Sequence, residues 1–171
     1  MSPTGHGHRQ RSDLLDEHPW GDAGQIALAI LFFTVWIGDT FFLRYTTFVN
    51  SYVPLGLRIP VGIVNVLAAL YLARTSLRIV FGETRETPQV IRESVFNIVR
   101  HPMYLSEILL YLGLILFSLS LAAVVVWLLG IGFLHVIARY EERRLLAHFG
   151  KDYRDYMREV PMWLPWIWRR R

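Results

Sequence analysis

The chain has 171 residues, 53% of them hydrophobic and 14% aromatic, which gives room for one domain and is too apolar for an ordinary small soluble protein. Its formal charge of +4 rests on 18 basic and 14 acidic residues, with no basic stretch interleaved with exposed aromatics, so nucleic acid is not an expected partner. The absence of cysteine excludes a disulfide framework, a thiol nucleophile and a cysteine-based zinc site.

Residues 1–23 are polar, carry Arg9, Arg11, Asp13, Asp16 and Glu17, and lack the apolar core and small-residue cleavage site of a signal peptide. The expectation is a polar cytoplasmic tail followed by a retained first span. His6, His8 and His18 read as part of a flexible tail rather than a metal site, and no metal is expected. Residues 24–43 form the first apolar block, about the 20 residues needed to cross roughly 30 Å of hydrocarbon. Residues 53–73 form the second, with Pro54, Arg58 and Pro60 near its start, which predicts a continuous helix beginning only around Pro60. From 74 to 101 the chain turns polar, with Arg74, Arg78, Glu83, Arg85, Glu86, Arg92, Glu93 and Arg100, and reads as a loop or surface helix outside lipid.

Two further blocks, 103–117 and 119–138, are separated only around Ser118, Leu119 and Ser120 and predict a tight helical hairpin. The remainder, 139–171, is strongly charged, continues the fourth helix, pauses at Gly150 and ends in Trp163, Trp166 and Trp168 beside Arg169, Arg170 and Arg171, a pattern of interfacial tryptophan. The predicted class is therefore all-α, a multi-pass membrane protein of about four spans with a C-terminal helical segment and the lipid bilayer as its partner. Almost all the arginine falls on the side of the two termini and the central polar stretch, which the positive-inside rule makes cytoplasmic. Lys151 is the sole lysine; the arginine bias is a slight pointer to a GC-rich coding genome and a prokaryotic cell membrane.

The densest chemical signal is Arg100-His101-Pro102-Met103-Tyr104 at the start of the third span. Pro102 suits a first helical turn and keeps His101 out of it, so a guanidinium and an imidazole flank a helix N-terminus. Two readings stand side by side: a site for a carboxylate or phosphate, or an interfacial cap with Arg100 among lipid headgroups. Tyr104, Glu107 and Tyr111 recur at i, i+3 and i+7 and share a helix face, with Glu107 about one turn inside the membrane, either functional or structurally hydrogen-bonded. Asp39 and Asn65 read as structural. On the fourth helix His135, Arg139 and Glu142 form a stripe that grows more polar toward the cytoplasm. Glu141 is turned about 100° away, so one acid is expected to face a site and the other solvent. The plain alternative is a solvated helix end in which both acids pair with Arg139, Arg143 or Arg144.

VRHPMYLSEILLYLG followed after one hairpin by ARYEERRLLAHFGKDYRDYMREVP resembles the isoprenylcysteine carboxyl methyltransferase family and the related phospholipid N-methyltransferases, over roughly the C-terminal half. The resemblance implies a methyltransferase without a Rossmann domain, with S-adenosylmethionine as cofactor and a lipid-like or isoprenoid acceptor offering a carboxyl, amine or thiol. It implies cofactor contacts from Arg100, His101, Pro102, Tyr104, Glu142, Tyr153 and Tyr156, catalytic roles for Glu142, Glu141 and Arg139, and substrate contacts from Glu107, Tyr111 and His135. Ser94 and Ser106 stand where the family commonly has glycine. The hairpin and the Val-Pro ending also resemble NADPH-dependent sterol-type reductases, the runner-up, and a non-catalytic membrane scaffold of the same fold is a third reading. The methyl acceptor and the oligomeric state are not legible.

Overall fold

The computed structural model describes residues 19–82 and 89–164. The tail histidines His6, His8 and His18, the charges Glu83, Arg85 and Glu86, and Trp166, Trp168 and Arg169 to Arg171 lie outside the described residues. Five α-helices follow in chain order: α1 Pro19–Ile37, α2 Leu55–Gly82, α3 Pro102–Ser118, α4 Leu121–Phe149 and α5 Lys151–Glu159. The protein is a helical, multi-pass membrane protein. Among the described residues three helices are long and apolar enough to span, and α3, apolar and 17 residues long, sits at the short end of the spanning range. Ile30, Leu31, Val64, Leu67, Leu129 and Val136 stand exposed on the outer surface, as lipid-facing side chains do.

Two predicted boundaries are corrected. α2 begins at Leu55, not Pro60, and continues to Gly82, well past residue 73. Pro60 falls only one turn inside the helix, where it removes a single backbone hydrogen bond. Arg58 compensates by donating to the Asn50 side chain and to the Phe117 carbonyl at 3.2 Å, which docks the first turns of α2 onto the end of α3. At the other end the helix outruns its apolar block: Ser76 and Ile79 stay buried while Arg74 and Arg78 are exposed, so helical periodicity persists after hydrophobicity stops. α4 outruns its apolar block in the same way and ends at Gly150, whose φ of 57° suits glycine.

The bundle pairs α2 with α3, α1 with α4, and α3 with α4. Gly62 and Gly113 set the first contact, because a Cβ on Gly113 would stand 2.7 Å from Val66 Cγ2 and 3.0 Å from the Gly62 carbonyl oxygen. Gly113→Val is expected to lose about 1 to 3 kcal/mol by overpacking, read as earlier thermal unfolding of the purified protein. Trp36 donates to the Leu114 carbonyl at 3.0 Å, Trp127 donates to the Ile108 carbonyl at 3.0 Å, and Phe32 stacks on Tyr111 at 4.0 Å, so α1 and α4 both lean on α3.

The α3–α4 hairpin turns at Leu119, in the left-handed region with φ of 47°, and Ser120 caps α4 by accepting from the Ala123 amide at 3.2 Å. Asp39, on a single π-helical stretch Gly38–Leu43, accepts from Ser120 Oγ at 2.5 Å and from the Thr46 amide and hydroxyl, tying the end of α1 to that turn. Asn65 donates to the Val61 carbonyl of its own helix at 2.8 Å. Both residues have the structural bonds expected of them.

Candidate active site

Residues 89–101 return the chain from α2 to the start of α3 and are clamped by α5. Arg92 donates to the Asp152 carbonyl at 2.6 Å and to Glu159 at 3.1 Å, and lies over the Tyr156 ring at 5.4 Å. The Tyr156 hydroxyl donates to the Phe96 carbonyl at 2.6 Å, and Tyr153, Tyr156 and Val160 are buried among Val90, Leu145, Leu146 and Phe149. Burial pushes both phenols up, reinforced at Tyr153 by the charge of Glu142 and opposed at Tyr156 by Arg100, so both remain protonated hydroxyls across the working pH range. Sequence patterning gave no signal for Arg92, one arginine among many in a polar run.

Ser94 explains a departure from the family pattern. Its φ is 49°, a backbone conformation that costs a residue with a Cβ roughly 1 to 2 kcal/mol and glycine almost nothing. Ser94→Gly is expected to leave the loop unchanged and to raise the thermal unfolding midpoint; a lower midpoint contradicts this account of the position. Ser106, the other departure, is buried and donates to the Met103 carbonyl at 2.6 Å, which leaves α3 regular.

The Arg-His-Pro-Met-Tyr motif sits beneath the end of the chain rather than among headgroups. The Arg100 amide donates to the Pro161 carbonyl at 2.9 Å, the Arg100 side chain is only 10% exposed, and His101 and Pro102 are buried. This excludes the interfacial cap. Pro102 opens α3, and His101 precedes it with φ of −121° and makes no side-chain cap to the helix.

Both acids of α4 meet this motif, which corrects the expectation that one would face solvent. Glu142, 2% exposed, stands 3.0 Å from Arg100 Nη1 and 3.3 Å from His101 Nε2. A carboxylate only accepts, so His101 donates from Nε2. Arg139, half-exposed, adds a contact to Glu142 at 3.5 Å. Glu141, 33% exposed, accepts the Tyr104 hydroxyl bond and lies 3.7 Å from His101 Nδ1. The two acids diverge by 100° around the helix, but His101 and Tyr104, stacked 5.6 Å apart, are wide enough to bridge them.

The other expected site residues divide. His135 is exposed and accepts from Trp163 Nε1 at 3.1 Å; it does not touch the acids. Glu107 and Tyr111 bond to one another at 2.6 Å and, unlike Tyr104, turn away from α4 toward α1. Trp163 packs on the core with its ring 6.0 Å from His101 and 6.3 Å from His135. It roofs the cluster. The Val-Pro break just before it is the feature that turns the chain back over the motif.

A zwitterionic cofactor with a carboxylate, an ammonium and a sulfonium fits this donor set. The Arg100 side chain is nine-tenths buried, its Nη1 contact with Glu142 lacks hydrogen-bond alignment, and its Nε finds no acceptor among the described residues. A carboxylate would supply one. Glu141 and the His101, Tyr104 and Trp163 rings would be the partners for the cationic groups of such a cofactor.

The profile of the phospholipid methyltransferase family matches residues 55–152. A methanethiol S-methyltransferase of Mycobacterium tuberculosis is 31% identical over 151 residues, covering 84% of this chain and 50% of that protein. Methanethiol S-methyltransferase 2 of Bradyrhizobium diazoefficiens is 34% identical over 97 residues, 53% of this chain and 32% of that protein. The chain thus spans half or less of the length of these curated relatives. No solved structure matches. The family match takes in α2, α3, α4 and the whole cluster from Arg100 to Glu142, and the chain belongs to the phospholipid methyltransferase family.

Proposed function

We propose that this protein transfers a methyl group from S-adenosylmethionine to a thiol acceptor at the cytoplasmic face of a membrane. The observation that carries the reading is the buried Arg100–His101–Glu142 cluster, with Glu141 partly open beside it, under the Trp163 ring. The sulfur acceptor is taken from the names of the two relatives, both methanethiol S-methyltransferases. The earlier range of carboxyl, amine and thiol acceptors on a lipid-like or isoprenoid body narrows accordingly.

Bound S-adenosylmethionine supplies an electrophilic methyl group on a sulfonium. The chain's part is to hold, align and exclude water, which is most of what an in-line displacement needs. Arg100 and the first amides of α3 hold the carboxylate end. Glu141 faces the cationic end, fixed by Tyr104. A thiol attacks as the thiolate, and His101 takes the proton at Nδ1, because Nε2–H is committed to Glu142. The imidazolium so formed lies between two carboxylates. Arg139 adds a further positive charge beside Glu142.

Transfer of labelled methyl from S-adenosylmethionine to hexanethiol, to phosphatidylethanolamine and to a farnesylcysteine, by the purified protein in nanodiscs, tests the reading. Label is expected on the thiol. Label only on the amine or the carboxyl would overturn the acceptor, and label on none would overturn the activity. The cytoplasmic placement predicts that single cysteines at Ser51 and Lys151 label from opposite sides of a sealed vesicle; labelling from one side contradicts it.

A further inference from the structure

We propose that Trp163 is a side gate between the candidate active site and the bilayer, and that His135 is the positioning residue that latches it shut. The inference rests on the reading of the Arg100–His101–Glu142 cluster as a methyltransferase site and adds what limits the acceptor. The latch decides whether a molecule with a long alkyl chain reaches the cluster from lipid.

The gate follows from where the two residues lie. His135 precedes Glu142 by seven residues, which sets it about 10.5 Å along α4 from the cluster and on the same helix face. Around it the helix is exposed at Gly132, Phe133 and Val136, as a flank facing lipid is. A Cβ on Gly132 would meet nothing within 4 Å, so the surface one turn before His135 is open. Trp163 fills the space between this open flank and the cluster, with its ring 6.3 Å from His135 on one side and 6.0 Å from His101 on the other.

Hydrogen bonding holds the ring there. The backbone is anchored two residues earlier, where the Pro161 carbonyl accepts from the Arg100 amide at 2.9 Å, so the indole swings about its own side-chain bonds without moving that anchor. A swing exchanges the apolar packing of Trp163 on the core for lipid, which is equally apolar, and costs little on that account. The bond from Trp163 Nε1 to His135 Nδ1, at 3.1 Å, is what a swing forfeits. An indole N–H without an acceptor is costly away from water, and so is a lone imidazole on a lipid-facing helix, so each residue removes the cost of the other. Because Nδ1 accepts, the ring proton of His135 sits on Nε2. The nitrogen turned toward Trp163 is thereby taken, and His135 acts on the acceptor through Trp163 rather than by contact.

Two readouts that involve no methyl transfer test the gate in the full chain in nanodiscs. With nitrogen-15-labelled tryptophan, the Trp163 indole resonance is identified by its absence from Trp163→Phe. It is expected to move upfield in His135→Phe, which keeps a ring but no acceptor, and to be restored in His135→Asn, whose Oδ1 takes the place of Nδ1. For the second readout, Glu141→Cys supplies the one thiol of an otherwise cysteine-free chain, beside His101, for reaction with N-ethylmaleimide and N-dodecylmaleimide. The dodecyl-to-ethyl rate ratio is expected to rise about 2- to 10-fold when His135→Phe is added, the population shift that one neutral hydrogen bond commands, and to return in His135→Asn. Trp163→Ala, which removes the ring, should raise the ratio at least as far. An indole resonance indifferent to His135→Phe would overturn the latch, and a ratio unmoved by His135→Phe and Trp163→Ala would overturn the gate. Neither readout uses S-adenosylmethionine, so failure of the gate is distinguishable from failure of the methyltransferase reading, which calorimetry with the cofactor decides.

Discussion

Glu142→Ala is expected to destabilise the protein by about 3 to 5 kcal/mol, the cost of removing one partner from a buried ion pair. Glu142 is 2% exposed and is the acid that faces both Arg100 and His101 from within the bundle. Without it the Arg100 guanidinium stays buried with no carboxylate in contact among the described residues, since Glu141 meets Tyr104 and the far nitrogen of His101 instead. Unfolding of the purified protein followed by tryptophan fluorescence should show the loss. Glu142→Gln, which keeps shape and a hydrogen bond for His101, should fall between the two. A Glu142→Ala protein as stable as wild type would mean that Arg100 finds another counter-ion.

Glu141→Gln should do the reverse. At 33% exposure its charge is solvent-screened, so the stability change is expected to stay below about 1 kcal/mol. Its affinity for S-adenosylmethionine should drop about 10- to 150-fold, because a partly desolvated carboxylate beside Tyr104 and His101 is the partner assigned to the cofactor's cationic groups. The neighbours thus divide the work: one fixes the motif, the other meets the ligand. Mild effects from both substitutions would return the EERR segment to an ordinary solvated helix end.

Much of the fold was legible because lipid imposes a simple rule on composition. The apolar blocks mark where α1, α2, α3 and α4 lie, and Ser118 to Ser120 mark the hairpin. The C-terminal end of α2 was misjudged for the same reason, whereas the continuation of α4 to Gly150 was expected. Hydropathy reports where lipid stops, whereas the helix continues as long as residues such as Ser76, Ile79 and Glu142 find neighbours on one face. Proline rules placed the start of α3 correctly at Pro102 and misplaced the start of α2, where the Arg58 bond to Phe117 is a long-range contact that no local pattern contains.

The site divides along the same line. Arg100, His101 and Tyr104 are close in sequence and share one turn, so their grouping was readable. That both Glu141 and Glu142 reach them depends on the α3–α4 separation, since stacked His101 and Tyr104 span the angle between two successive helical residues. The packing of Trp163 on His101 was not legible, because tryptophan near arginine signals a membrane interface and no particular neighbour. Its position over His101 depends on the Pro161 carbonyl bond to Arg100, a contact across the whole C-terminal segment.

Titration calorimetry of the purified protein with S-adenosylmethionine, S-adenosylhomocysteine and NADPH tests the central claim most directly. The account predicts saturable binding of both adenosyl compounds, tighter for the sulfonium than for the thioether through Glu141, and no heat from NADPH. Binding of NADPH with no heat from either adenosyl compound would contradict it, and would assign the buried arginine–histidine–glutamate cluster to a reductase.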